Sequence, residues 1–137
     1  MYTRLTFWAD FDADSPAIPI IEALMEGDEP SEAPDHDFFR ATHCWAVLRC
    51  SSYYHRTGES VFVYDDIARK WWLNSDASLK NYGNEIKLFL DWVHPYDSGD
   101  NGFRGFFIYE EDEHPTLIYR TAERYELRPA TGEVDRS

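Results

Sequence analysis

A chain of 137 residues with 43% hydrophobic positions is long enough to bury a core as one domain, without disulfide or metal staples. A formal net charge of −13 sets up a field that repels phosphate backbones and attracts basic proteins, which disfavours direct nucleic-acid binding. No run approaches the ~18 apolar residues of a membrane span, and the opening MYTRLTFWADFDAD lacks the pattern of a secretory signal, so a cytoplasmic protein is expected.

The acids are unevenly spread. Residues 1–37 hold ten of them against one base, Arg4. Aromatic residues are abundant, with five Trp, nine Tyr and nine Phe, a set suited to broad sheet faces and interfaces.

In chain order, YTRLTFWADF (2–11) alternates Leu5, Phe7, Ala9 and Phe11 against Arg4, Thr6, Trp8 and Asp10, which predicts a strand with one face in the core. Ser15 and Pro16 resemble a helix start, but Pro19 removes a helical hydrogen bond, so the regular helix is expected from Pro19 to near Gly27. EGDEPSEAPDHD (26–37) can bury almost nothing and is expected to be a mobile acidic loop. FFRATHCWAVLRCSSYY (38–54) is mostly strand in pattern, HRTGE (55–59) a turn, SVFVYDD (60–66) the partner strand and KWWLN (70–74) a third short strand.

Within NSDASLKNYGNEIKLFLDWVHP, Ile86, Phe89, Leu90 and Val93 follow helical spacing and Pro95 ends the helix. GFFIYEEDEHPTLIYR (105–120) is expected to form a hairpin with an acidic turn, RYELR (124–128) a last strand, and 129–137 a loose tail. The predicted fold is a single α+β domain over 1–128. It is a two-layer sandwich of a mostly antiparallel sheet and two helices.

DFDAD (10–14) is the nearest approach to a chemical motif. Counted from Asp10 as a calcium loop, its sixth residue is Ser15 and its twelfth Ile21, so the turn glycine and the bidentate acid are both missing. As a strand-end D-x-D it resembles haloacid-dehalogenase-type phosphatases. That resemblance implies Asp10 as nucleophile, Asp12 as general acid, and magnesium held by Asp10, Asp12, Asp65 and Asp66, with Lys70 or Lys80 steadying phosphate. The chain departs from the pattern at Asp14, where threonine or valine is expected, and in the order of its lysine and second acid pair. The plainer reading makes the aspartates a polar strand end running into a helix start, where negative charge is favoured.

His43, Cys44, Cys50 and His55 are poorly spaced for zinc: a separation of six along a strand parts the thiols by ~20 Å, too far for shared ligation or a disulfide. Both thiols are expected to be reduced and buried. SSYYHRTGES (51–60) gathers hydroxyls, His55 and Glu59 at a predicted hairpin tip that suits acid–base work or simple exposure.

The preferred expectation is a small acidic domain that binds protein, an inhibitor or immunity-type protein for a basic, nucleic-acid-binding partner. Glu29, Glu32, Asp35, Glu110, Glu111 and Asp112 would face that partner, and Trp71 or Trp72 would anchor it, since adjacent strand residues cannot share a face. No cofactor is called for. A magnesium-dependent phosphatase or nuclease and a structural, self-assembling protein are the competing expectations.

Overall fold

The computed structural model of the chain describes residues 3–25, 35–40, 61–79 and 84–129. Its elements are strand β1 (Thr3–Asp12), helix α1 (Ala17–Met25), a 3-10 turn (Asp37–Arg40), strands β2 (Val61–Asp65) and β3 (Lys70–Leu79), helix α2 (Glu85–Val93) with a 3-10 extension (His94–Tyr96), and strands β4 (Gly102–Tyr109), β5 (Thr116–Arg120) and β6 (Tyr125–Pro129). The strands form one antiparallel six-stranded sheet in the order β2-β3-β1-β4-β5-β6. With the two helices this is the α+β sandwich that the periodicities predict.

The alternation of β1 divides the sheet into two faces. Leu5, Phe7, Ala9 and Phe11 are buried in a cluster that also takes in Ala17, Ile21 and Leu24 of α1 and Ile86, Phe89, Leu90, Trp92 and Val93 of α2. Both helices therefore cover the same, inner face. Phe7 meets Phe89 and Tyr125 edge-on at centroid distances of 5.7 and 5.4 Å, the geometry that ring quadrupoles prefer.

Four local outcomes differ from the sequence pattern. Helix α1 begins two residues before Pro19. The Ile18 N–H takes the Ser15 carbonyl at 3.2 Å, a bond the proline lacks the donor for, while the Ser15 hydroxyl accepts from the Ala17 N–H. Strand β3 runs ten residues instead of five, because β1 offers ten positions to pair with. The small inward residues Ser75 and Ala77 lie opposite the large Phe7 and Leu5, so sheet packing overrides the weak strand propensity of NSDAS. Helix α2 accordingly starts only at Glu85, after Asn84 in the left-handed region at φ 62°.

The fourth difference lies at 37–40. Phe38–Arg40, expected in a strand, are part of a 3-10 turn: Asp37 pairs with Arg40 at 2.6 Å, and Phe38 drops into the core against Phe89 and Trp92. The rest of that expected strand, the 55–59 turn, most of the acidic loop and the tail beyond Pro129 lie outside the described residues. Among the described residues no helix is long and apolar enough to cross a membrane.

Strands β1 and β4 approach unusually closely at Gly105. Its φ of +137° is closed to ordinary side chains, and a Cβ there would overlap the Thr6 carbonyl oxygen and lie 2.8 Å from its carbon. Next to it the β4–β5 register slips between Phe103 and Gly105. The bulge sends Phe103 to the outer face and leaves Arg104 buried.

Candidate functional site

The outer face carries a row of large side chains that crosses every described strand. Val63 of β2 lies opposite Trp72 of β3, and Trp72 lies opposite Asp10 of β1. Trp8 stands two residues from Asp10 on the same face and meets Phe103 of β4 at 5.3 Å. Phe103 meets its partner Tyr119 of β5 at 5.4 Å, and the Arg128 guanidinium of β6 sits 4.2 Å over the Tyr119 ring. Val63 is 50% exposed, Trp72 42%, Phe103 39% and Trp8 36%, so the row is surface and not a second core.

Two hydrogen-bonded carboxylates frame the ends of strands around this row. Asp65 closes the β2–β3 turn: one oxygen accepts from the Ile67 and Ala68 amides at 2.9 and 3.1 Å, and the other from the Trp72 indole at 3.2 Å. Those amide bonds hold its carboxyl below the usual range. Asp97 lies in the α2–β4 loop, completely buried. It accepts from Arg104 Nε at 2.9 Å, the Tyr125 hydroxyl at 2.7 Å and the Gly99 amide at 2.9 Å, with Arg120 Nε at 3.6 Å. Burial and the neighbouring Asp97 charge push the Tyr125 hydroxyl well above its usual pKa.

Asp10 stands between them and differs from both. Its main-chain carbonyl accepts from the Ser98 amide at 2.8 Å, which ties the loop to β1, but its carboxylate accepts no hydrogen bond among the described residues. Burial pushes that carboxyl above the usual range, with Asp97 and Asp100 adding to the rise and Lys70 and Arg104 opposing it.

The residues singled out by sequence are dispersed. Asp12, Lys70 and Asp65 form one cross-strand row, so Asp12 and Asp65 are two strand spacings, ~10 Å, apart with the lysine between them. Asp66 is exposed in the following turn. Among the described residues no group of three or more His, Cys, Asp or Glu is placed to hold a metal ion. Trp71 turns inward, stacked on Phe62 at 4.8 Å, while Trp72 is the exposed one of the pair.

Glu110, Glu111 and Asp112 are exposed at the β4–β5 turn, the end of the sheet opposite Asp10 and Asp12. Asp35 is exposed and pairs with Arg40. Glu29, Glu32, His43, Cys44, Cys50, His55 and Lys80 lie outside the described residues.

Trp8, Phe103, Tyr119 and Arg128 were not expected to act together. Only the first was visible, as the aromatic on the polar face of β1. A small groove of about 120 Å³ between α2 and β6, lined by Lys87, Leu90, Asp91, Tyr125 and Leu127, is below the size that a drug-sized ligand needs. No protein-family model matches the chain, and neither a curated protein nor a solved structure is significantly similar to it.

Proposed function

We propose that this chain is a protein-binding domain that docks a basic partner on the outer face of its sheet, as an inhibitor or immunity-type protein would. The observation that carries this reading is the exposed row Val63, Trp72, Trp8 and Phe103 on the face opposite both helices. Large rings at a surface are typical interface anchors, because they bury much area while losing little side-chain entropy. The formal charge of −13 supports a basic partner, since charge of one sign speeds encounter with its opposite and discriminates against acidic competitors.

The test is affinity capture of the tagged chain from its native lysate, at low and then moderate salt, with partners identified by mass. The expected result is one basic protein, bound stoichiometrically, released by salt and lost when Val63→Asp is used as bait. Retention of nothing at either salt, or of a protein indifferent to Val63→Asp, would sink the proposal.

A further inference from the structure

The three carboxylates around the row are partnered very unequally. Asp97 is satisfied by an arginine, a tyrosine and an amide, and Asp65 by two amides and an indole. Asp10, half-buried, has no hydrogen bond to its carboxylate among the described residues, although a buried or half-buried charge without a donor is costly. Neither cation near it donates to that carboxylate among the described residues. Arg104 gives its Nε to Asp97 and an Nη to the Asp100 carbonyl; Lys70, across from Asp12 and Asp65 in the register, acts on Asp10 only through its charge.

We infer that Trp8, Asp10 and Trp72 form a subsite for an arginine side chain of the protein partner, whose guanidinium lies against the indoles and donates to the Asp10 carboxylate. The inference rests on the protein-binding reading above and names the chemistry of its contact. Both indoles are already held by contacts within the chain, Trp72 by its bond to Asp65 and Trp8 by its edge contact with Phe103, so ordering them on binding loses little entropy. The chain already seats one guanidinium on the same face, Arg128 over Tyr119 at 4.2 Å, four strands along from Trp72. A guanidinium is planar, weakly hydrated and able to stack while donating to a carboxylate. A lysine ammonium is a strongly hydrated point charge, so the two cations are distinguishable here.

The test uses the full ¹⁵N-labelled chain and three blocked peptides in which glycine alternates with arginine, lysine or citrulline. The readout is the indole N–H signals of Trp8 and Trp72, assigned through Trp8→Phe and Trp72→Phe. The arginine peptide is expected to move both signals saturably and to bind at least about fivefold more tightly than the lysine peptide, with citrulline inert. Asp10→Asn and Trp72→Leu are each expected to weaken it by at least about fivefold at unchanged fold, checked by near-UV circular dichroism.

Equal binding of the lysine peptide, unmoved indoles, or variants that bind like the parent would overturn the subsite. So would indole shifts that track protein concentration with a doubling of mass, because a second copy would then occupy the face. A lysate partner that binds Asp10→Asn and Trp72→Leu as tightly as the parent overturns the subsite and leaves the protein-binding reading intact. A chain that captures no partner overturns that reading itself.

Discussion

Asp97 and Arg104 form a 2.9 Å ion pair in which the carboxylate side chain is wholly buried and the guanidinium nearly so. The pair ties the α2–β4 loop to the bulge in β4, and Tyr125 and Arg120 extend it to β6 and β5. Removing one partner of such a pair leaves an uncompensated charge in a low-dielectric interior. Asp97→Ala is therefore expected to lower stability by about 3–5 kcal/mol in urea unfolding. Tyr125→Phe, which deletes one hydrogen bond and keeps the ring against Phe7, is expected to lower it by only about 1–3 kcal/mol. A smaller loss for Asp97→Ala than for Tyr125→Phe would show that the ion pair is not what holds the loop.

Asp10 predicts the opposite sign. Its folded-state pKa is raised above the usual 3.8, so the folded chain holds the proton more tightly than the unfolded chain does. Stability falls as pH rises from that usual value through the raised one, and above both the charged carboxyl weighs on the fold in full. Asp10→Asn is expected to raise the melting temperature at pH 7, with the gain closing as pH drops below about 4. Solvent screening keeps the gain below about 1 kcal/mol. A stabilising variant that weakens the arginine peptide would mark Asp10 as kept for binding, at the expense of stability.

Gly105→Ala is expected to be among the most damaging single-methyl additions in the chain. The new Cβ would overlap the Thr6 carbonyl, and alanine resists a φ of +137°. Neither the β1 nor the β4 backbone can yield without breaking their pairing, so a loss of about 3 kcal/mol or more is expected in thermal or urea unfolding. A melting temperature within 2–3 °C of the parent, roughly the shift of a 1 kcal/mol change, would mean that the strands separate there at little cost.

In the core, Phe89→Ala removes a ring that touches Phe7, Phe38 and Trp92 together. The cavity term adds to the lost transfer energy, giving an expected loss of about 3–5 kcal/mol by urea unfolding with an unchanged m-value. A loss under about 1 kcal/mol would indicate that the rings around it close the gap.

Much of the fold was legible in single-strand and single-helix patterns. The alternation over 2–11 placed Leu5, Phe7, Ala9 and Phe11 inward and Arg4, Thr6, Trp8 and Asp10 outward, as observed, and the spacing of Ile86, Phe89, Leu90 and Val93 located α2. What was not legible came from pairing. Ser75–Leu79 read as the approach to a helix and joined β3 instead, because ten β1 positions offered hydrogen bonds that propensity could not refuse. Pro19 was expected to delay α1, but the Ser15 carbonyl found another donor in Ile18.

The sequence by itself determined the α+β class, the inward residues of β1 and α2, the excess of acid, and the fact that only one of Trp71 and Trp72 could face the core. Each follows from a local period or from composition. The tertiary structure decided which tryptophan that was, drew Trp8, Trp72, Phe103 and Tyr119 from four strands into one row, and buried Asp97 between arginines seven and twenty-three positions away. Register and a single bulge made those choices, and neither is encoded in any one stretch of the chain.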